Sequence, residues 1–313
     1  MSAASTPPLG TVAVISPGDM GHSIGAVLRG SGLRVLAFVG GRSERTRGLA
    51  AEAGMEAVAD LAALLRASDA VLSVVPPARA AEVARRVAAA LLKAPSQVLY
   101  ADCNAIAPRT AREVGEIVSG AGARYVDVSI IGPPPRAGER RTRFFASGPA
   151  AQEFARLGSL GLEVRVLGAE AGLASGIKMC YAGLTKGLVA LATEVLVAGR
   201  RLGLQDPLTA ELAASQPQLL EIMRRELPRM PPKAYRWVGE LEQMAVAYSD
   251  VGLPPETFVG GAGLYRLVEA SPLGAETPER RLRGTALEDL VEALADFLQE
   301  SEGPAAPVAA AGA

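Results

Sequence analysis

The stretch VAVISPGDMGHSIGAVLRGSG, residues 12–32, decides the fold of this 313-residue chain. It begins with a β-branched apolar run that is typical of a buried strand. After a turn, apolar residues recur with the i, i+4, i+7, i+8 spacing of a helix that lies one face on a sheet. These positions are Met20, Ile24, Val27 and Leu28. A strand, a tight turn and a helix in this order are the context in which a glycine-containing turn binds phosphate groups.

The turn itself carries two of the glycines that such a site needs. Gly18 lets the backbone approach a pyrophosphate, Gly21 lets helix and strand pack closely, and the helix N-terminus offers free N–H groups. The dinucleotide fingerprint begins with a further glycine, where this chain has Ser16 and then Pro17. Because a proline restricts the residue before it, we expect Ser16 to be extended. Asp19 would repel phosphate unless it points away, so we predict that it caps the helix; an ordinary βα loop is the alternative for the segment.

The first half of the chain repeats this alternation of strand and helix. Short runs with strand composition occupy residues 11–15, 34–39, 70–75, 97–102, 124–130 and 142–147, and helical spacing separates most of them. This order predicts βαβ units in a parallel sheet with right-handed crossovers. The last run follows a proline-rich loop and is expected to be an added edge strand of either direction. We therefore predict a Rossmann-type, dinucleotide-binding domain over residues 10–167.

Residues 168–301 lack strand signals and show helical spacing throughout. One pattern continues over residues 170–203, and later prolines mark the breaks between further helices. The predicted fold class is thus an α/β Rossmann-type N-terminal domain plus an all-α C-terminal domain. The two ends of the chain, residues 1–9 and 302–313, are expected to be disordered.

Composition limits the classes of function. A net charge of −1 and 49% hydrophobic residues describe an ordinary globular chain with no field that attracts nucleic acid or an anionic membrane. We expect a cytoplasmic protein, without a signal peptide and with its longest apolar stretch, near residues 187–199, too short to span a bilayer. Cys103 and Cys180 are predicted to be reduced core residues. No spacing indicates a metal site, and His22, the single histidine, is expected at a solvated helix position.

The end of the second predicted strand indicates which dinucleotide would bind. NAD sites usually place a carboxylate there, whereas NADP sites place an arginine near the 2′-phosphate. This chain reads FVGGRSERTRG, in which Gly41 opens space, and the donors for a phosphate are Arg42, Ser43 and Arg45. NADP(H) is therefore the predicted cofactor, with a solvated basic helix start as the alternative.

Four motifs extend this interpretation: SPGDMG at 16–21, DAVLSVVPP at 69–77, DCNAIAP at 102–108 and VDVSIIGPP at 126–134. In this order they resemble the β-hydroxyacid dehydrogenase superfamily, which includes 3-hydroxyisobutyrate and 6-phosphogluconate dehydrogenases and the imine reductases. The resemblance covers residues 10–300 and implies a small-molecule substrate and a homodimer with interlocked helical domains. The predicted cofactor-binding residues are Ser16, Pro17, Gly18, Asp19, Met20, Gly41, Arg42, Ser43, Arg45, Val75, Pro76 and Asn104.

The long helical segment would supply the catalytic group. The superfamily carries a lysine in a glycine-containing motif where this helix begins, and GLASGIKMCYA places Lys178 at that position. By resemblance, Lys178 is the general acid/base that donates a proton to the substrate oxygen as hydride arrives. A surface lysine is the alternative.

Several substrate positions differ from the superfamily pattern. The departures are Asn104 and Ile131 at serine positions, Ala182 at an asparagine, and Glu240 with Leu241 at a Lys-Asp pair. Tyr181 could provide a hydroxyl in place of the asparagine, and Trp237 could shape the pocket. The predicted substrate-binding residues are Asn104, Ile131, Gly132, Tyr181, Trp237 and Glu240. These departures indicate a branch with altered substrate recognition. The patterns SPGDMG, KMCYAGLTKG and RWVGELEQ resemble a poorly characterised branch whose helical domain was formerly of unknown function.

The sequence thus predicts an NADPH-dependent oxidoreductase that moves hydride between the nicotinamide and a small carbonyl or hydroxy substrate. An imine reductase is the alternative enzyme, although the retained Lys178 disfavours it because imine reductases usually replace that lysine. Outside enzymes, the alternative is a non-catalytic NADPH-binding sensor or scaffold, which the altered substrate positions keep open.

Overall fold

The computed structural model describes residues 9–302. Its strands are β1 (Thr11–Ile15), β2 (Arg34–Phe38), β3 (Glu56–Val58), β4 (Ala70–Ser73), β5 (Leu99–Asp102), β6 (Arg124–Ile131), β7 (Arg143–Ser147) and β8 (Glu163–Gly168). They form one eight-stranded sheet in the order β3-β2-β1-β4-β5-β6-β7-β8. Two residues of the segments predicted to be disordered are described: Leu9 is buried, and residue 302 ends the last helix. The other residues of those segments lie outside the described range.

The sheet is parallel from β3 through β6, which confirms the predicted α/β architecture. Strand β7 runs antiparallel to β6, and β8 pairs in parallel with β7. The run at 142–147 is therefore an interior strand and not the predicted edge. The sequence analysis misses β3 and β8. Strand β3 has only three residues, and in β8 the charged Glu163 and Arg165 alternate with the two valines.

Helices cover both faces of the sheet. They are α1 (Asp19–Gly30), α2 (Glu44–Glu52), α3 (Leu61–Arg66), α4 (Ala80–Lys93), α5 (Pro108–Ser119) and α6 (Ala151–Phe154). Alternate residues of β1 enter two different apolar clusters. Val12 and Val14 pack in the cluster that includes the buried face of α1, whereas Ala13 and Ile15 pack in the cluster that includes α4 and α5. With both faces covered, the carboxyl edge of the parallel strands is where a ligand can bind.

The second half of the described chain is helical, as predicted. Its helices are α7 (Leu173–Arg201), α8 (Gln205–Ser215), α9 (Pro217–Glu226), α10 (Ala234–Asp250), α11 (Glu256–Ala270) and α12 (Leu287–Glu302). The chain forms two compact units. Unit 1 contains the described residues up to Tyr181 together with Val246–Leu253, and unit 2 contains Ala182–Ala245 and the described residues from Pro254 onward. The division falls within α7, whereas the sequence analysis places the domain boundary where β8 ends.

Helix α7 is the long helix that the pattern over residues 170–203 predicts, but its apolar stretch is longer than the sequence analysis allows. Its 29 residues include an 18-residue window with a mean hydropathy of 1.4, so it is long and apolar enough to cross a membrane. The prediction that no apolar stretch has sufficient length is therefore wrong. Half of that window is buried inside the protein, which is typical of a core helix.

Candidate active site

The turn between β1 and α1 takes its shape from Ser16. This residue has a φ of 62°, in the left-handed region that a non-glycine residue seldom adopts. The N–H of Gly18 donates to the Ser16 carbonyl at 2.8 Å, which closes a three-residue turn centred on Pro17. The prediction of an extended Ser16 is wrong, because the strand-to-helix reversal overrides the local preference of a residue before proline. Ser16 thus has the conformation for which glycine is the usual residue.

Gly21 allows the turn to pack closely against β1, and Gly18 leaves open space at the start of α1. A Cβ at Gly21 would lie 3.0 Å from the Ser16 carbonyl oxygen and 3.0 Å from Val14 Cγ1, so a side chain there would displace the turn. Gly18 is the N-cap of α1, no side chain caps the helix, and a Cβ at Gly18 would meet nothing within 4 Å. His22 is half-buried, with Nδ1 2.9 Å from the Gly18 carbonyl oxygen. The first turn of α1 therefore keeps main-chain N–H groups for an anion.

Asp19 does not cap α1, which corrects the sequence prediction. Its carboxylate instead accepts a hydrogen bond from the Arg45 guanidinium at 2.6 Å. The neighbouring Ser43 caps α2, since its hydroxyl accepts from the N–H of Thr46 at 3.3 Å. The Arg45 pair neutralises the one acidic group in the first turn of α1, so that carboxylate no longer opposes a phosphate at the helix N-terminus.

Three arginines lie close together: Arg42 follows β2, Arg79 precedes α4, and Arg86 belongs to α4. Arg42 is half-buried, and its pKa is lowered first by burial and then by the positive charges of Arg86 and Arg79. The Arg86 guanidinium lies 5.9 Å from the centre of the Phe38 ring, and Arg79 pairs with Glu82 at 2.6 Å. Sequence reasoning found Arg42 but missed its two companions, although Arg79 and Arg86 stand at i, i+7 on one helical face. The cluster contains more positive than negative charge.

Asn104 holds the loop that follows β4. It is buried, its Oδ1 accepts from the N–H of Val75 at 2.7 Å, and its Nδ2 donates to Ser73 Oγ at 3.3 Å. Its own N–H donates to Asp102 Oδ1 at 2.9 Å. Val75 is also buried, whereas the adjacent Pro76 is exposed. The amide side chain therefore fixes the backbone of the loop that the sequence analysis assigns to the cofactor.

Asp127, at the middle of β6, fixes the start of α7. Its Oδ2 accepts from the N–H groups of Gly172 and Ser175, both at 3.0 Å, and from the Ser147 hydroxyl at 3.0 Å. Its Oδ1 accepts from the Ser175 hydroxyl at 2.7 Å. Burial raises the pKa of this carboxyl, and the hydrogen bonds oppose that rise. The sequence analysis matched Asp127 to a motif but gave it no role in the site.

Lys178 lies one turn beyond Ser175 on α7. Its Nζ donates to the Ile130 carbonyl at 2.7 Å, at the carboxyl end of β6. Ile131 is buried beside Phe145 and Ala174, in an apolar cluster that includes the half-buried Ile177. Lys178 is thus held at the carboxyl end of β6, in the same unit as the candidate cofactor loops. Gly132 follows with a φ of 132°, and a Cβ there would lie 2.4 Å from the Arg141 carbonyl oxygen.

Asp102 adds a second buried carboxyl at this edge of the sheet. It is the register partner of Asp127 on the neighbouring strand. Its pKa is raised to about 7, chiefly by burial and also by the charge of Asp127, against the opposing hydrogen bonds of Asn104. Its Oδ2 has no hydrogen-bond partner within residues 9–302. Asp102 therefore titrates near neutrality at the end of β5.

Trp237 and Glu240, two predicted substrate residues, belong to a cluster in unit 2. Glu240 forms an ion pair with Lys186, and both side chains are nearly buried. The Lys186 Nζ lies 5.0 Å from the centre of the Trp237 ring, which meets the Tyr265 ring edge to face at 5.3 Å. The Tyr265 hydroxyl donates to the Lys186 carbonyl at 2.6 Å. Because Lys186 supplies a cation here, Glu240 does not present an isolated negative charge.

The predicted site residues divide between the two units. The glycine turn, the arginine cluster, Asn104, Ile131, Lys178 and Tyr181 all lie in unit 1, and Tyr181 is exposed. Cys103 is buried as predicted, but Cys180 is exposed, so its assignment to the core is wrong. Across the described residues, no group of three or more His, Cys, Asp or Glu side chains is arranged to hold a metal ion.

An open glycine turn on a parallel sheet, continued by a helical region, defines an NAD-binding unit of the dehydrogenase type. Residues 11–188 match the family described as the NAD binding domain of 6-phosphogluconate dehydrogenase, and the chain belongs to this family. Residues 200–268 match a domain of unknown function, DUF1932. The predicted superfamily, and the predicted branch with a helical domain of its own, are both confirmed.

Two individual proteins are similar in sequence to this chain. The chain is 31% identical over 176 residues to an uncharacterized 28.5 kDa protein in the 7S RNA 5′ region of Methanothermus fervidus, covering 56% of this chain and 66% of that protein, just under two thirds. The conserved protein MTH1747, of unknown function, has a structure similar to 3-hydroxyacid dehydrogenases, and its sequence is 28% identical to this chain. The two structures have a TM-score of 0.63, covering 83% of this chain and 96% of that chain.

More distant structures share the fold. The Mycobacterium tuberculosis 3-hydroxyisobutyrate dehydrogenase, solved with L-serine, has a TM-score of 0.67 at 20% identity, covering 92% of this chain and 99% of that chain. A variant of the Myxococcus stipitatus imine reductase, solved with NAD⁺, has a TM-score of 0.52 at 19% identity, covering 92% and 99%. The fold is therefore common to hydroxyacid dehydrogenases and imine reductases.

Proposed function

We propose that this protein is an NADPH-dependent oxidoreductase that transfers hydride between the nicotinamide and a small carbonyl or hydroxy substrate. The observation that carries the proposal is the position of Lys178, at the carboxyl edge of the sheet in the same unit as the open glycine turn. Membership of the NAD-binding family supports a nicotinamide cofactor. The preference for NADPH, the role of Lys178 and the substrate class are our inferences from the residues.

The residues of unit 1 fit a dinucleotide. The pyrophosphate would lie against the uncapped N-terminus of α1, where Gly21 leaves no room for a side chain and Gly18 leaves open space. Arg42, with Arg79 and Arg86 beside it, would hold the 2′-phosphate. A phosphate there would offset the mutual repulsion of the three guanidinium groups, which a 2′-hydroxyl cannot do. This electrostatic difference is the reason for preferring NADPH.

Lys178 is the proposed proton donor. The bound nicotinamide supplies the hydride, and the protein orients the reactants and excludes water. As hydride reaches the carbonyl carbon, the ammonium of Lys178 gives one proton to the carbonyl oxygen, which leaves an alcohol and a neutral amine. The hydrogen bonds of Asp127 hold the first turn of α7, so they set the position from which Lys178 acts. Asp127 is a positioning residue for this step.

The test is NADPH oxidation with panels of ketones and imines. We expect turnover with a ketone in the wild type and in Lys93→Ala, an exposed lysine of α4 that serves as the matched control. Lys178→Ala should lose at least about 100-fold in kcat, the usual contribution of a general acid, while NADPH still binds. Unchanged turnover in Lys178→Ala would contradict the mechanism. Turnover with imines alone would favour the imine reductase alternative, and NADPH binding without turnover would favour the sensor.

We also propose that the protein is a homodimer that pairs through α7. Apolar residues recur on this helix with alternating spacings of four and three, as in helices that pack along their length. These residues are Leu184, Leu188, Leu191, Val195 and Ala198. The exposed fractions of Leu184 and Leu191 are 73% and 58%. Leu188 is half-buried and the other four residues are exposed, so this apolar row favours a second copy of the chain as its cover.

A further inference from the structure

Unit 2 carries a groove of about 430 Å³ that the proposed reaction does not use. Its basic lining residues are Arg224, Arg225, Arg229, Lys233 and Arg281. Most of them come from RRELPRMPPKAYR, residues 224–236, which contains five basic residues and one acidic residue. Because the whole chain has a net charge of −1, this positive charge is a local feature of the groove.

Acidic partners neutralise only part of the positive charge of the groove, because two carboxylates, Glu226 and Glu276, face five basic groups. Glu226 is shared by two of its arginines, with distances of 2.7 Å to Arg225 and 3.7 Å to Arg229. Neither Arg224 nor Lys233 forms an ion pair in the part of the chain that the structure describes. The pKa of Lys233 is lowered by burial first and then by the neighbouring charges of Arg236 and Arg229. An anion in the groove would relieve this repulsion.

The walls of the groove are rigid. Pro228, Pro232 and Pro278 line it, and their rings restrict the backbone. Arg281 joins two of the wall segments, because it pairs with Glu276 at 2.7 Å and donates to the Pro228 carbonyl at 2.6 Å. A site that is already formed loses little conformational freedom on binding, so more of the contact energy appears as affinity.

We propose that this groove binds a small phosphorylated molecule through its phosphate oxygens. Guanidinium and ammonium groups are the side chains that recognise phosphate. The volume of the groove lies within the range of small-molecule sites, roughly 300–1,000 Å³. Every lining residue belongs to unit 2, so the site does not depend on the glycine turn and is independent of the proposed function.

The experiment is a calorimetric titration of the full chain with pyrophosphate at low salt. Lys233→Gln and Arg229→Gln should each weaken binding about tenfold, as expected for one lost hydrogen bond to a charged group. Arg266→Gln is the matched control, since it removes an exposed arginine of the same unit that pairs with Glu242. The control should bind pyrophosphate as the wild type does, and thermal melts should show that each variant is folded.

A second variant separates this groove from the glycine turn. Gly21→Ala alters the turn and should leave the groove event unchanged. The proposal is overturned if Lys233→Gln binds pyrophosphate like the wild type, or if Gly21→Ala alone removes binding. The small-molecule assignment would be overturned if a single-stranded RNA bound more tightly than pyrophosphate and if Lys233→Gln weakened that RNA binding.

Discussion

Removing the Asp127 carboxylate should both destabilise unit 1 and misplace Lys178. Asp127 joins β6 to the first turn of α7, because it accepts from the N–H groups of Gly172 and Ser175 and from the Ser175 hydroxyl. It also joins β6 to β7, because it accepts from the Ser147 hydroxyl. Asp127→Ala would leave these buried groups without their acceptor. Asp127→Asn would keep one oxygen for the N–H groups, and its amide could donate to the Ser175 hydroxyl.

The size of the effect follows from the hydrogen bonds and the burial. Each hydrogen bond to a charged group contributes about 1.5–3 kcal/mol, and the cost of burying the carboxylate, several kcal/mol, offsets part of the sum. We therefore expect Asp127→Ala to lower the free energy of unfolding by about 3–5 kcal/mol. The isosteric Asp127→Asn should cost about 1–2 kcal/mol. Asp60→Ala, which removes a single exposed helix cap, is the control and should cost about 1 kcal/mol.

The assay is urea unfolding followed by far-ultraviolet circular dichroism, with hydrogen exchange of the peptides that contain the start of α7. In Asp127→Ala, the amides from residue 172 to Lys178 should exchange faster, and kcat should fall more than KM rises. Asp127→Asn should recover most of both properties. An alanine variant within 1 kcal/mol of the wild type, or an asparagine variant as damaged as the alanine variant, would refute the role given to Asp127.

Three further changes test other parts of the molecule. The pKa of Asp102 rises from 3.8 to about 7 on folding, so between these pH values only the folded state holds the proton. The free energy of unfolding therefore falls as the pH rises, by about 1.4 kcal/mol per pH unit. Asp102→Asn should remove that slope in urea unfolding at pH 4.5, 6 and 8, and an unchanged slope would refute the assignment. Gly21→Ala should weaken NADPH binding at least about tenfold in fluorescence quenching, because the new Cβ meets the turn. Gly30→Ala is the control in the same helix: its Cβ meets nothing within 4 Å, so this variant should bind NADPH normally. Leu191→Glu should give a monomer by analytical ultracentrifugation and the exposed Leu92→Glu should not; a dimer in both would exclude the α7 surface.

The apolar pattern predicts the strand and the helix of the nucleotide site, because their apolar residues must face a common core. The conformation of Ser16 could not be obtained in this way. The local rule for a residue before proline favours an extended backbone, and only the closure of β1 onto α1 shows that the left-handed turn prevails. Strand β8 was missed for a related reason, since its pairing with β7 and not its own composition makes it a strand.

Contacts between distant residues account for the rest of what sequence reasoning missed. Asp19 and Arg45 are 26 residues apart, and Lys186 and Glu240 are 54 apart. Nothing in either local pattern shows that the two members of a pair meet. By contrast, Lys178 is predicted from a local pattern, because the glycine-containing motif around it resembles that of the superfamily. Its hydrogen bond to the Ile130 carbonyl, which gives the residue its place in the site, depends on the packing of α7 against β6.

The central claim is that hydride leaves NADPH bound to unit 1 while Lys178 supplies the proton. The most direct measurement uses NADPH that carries deuterium at the transferring position of the nicotinamide, with the best ketone of the panel. The account predicts a deuterated alcohol from the wild type, and almost none from Lys178→Ala at cofactor concentrations that saturate both proteins. An alcohol without deuterium from the wild type, or equal deuterated product from Lys178→Ala, would contradict it.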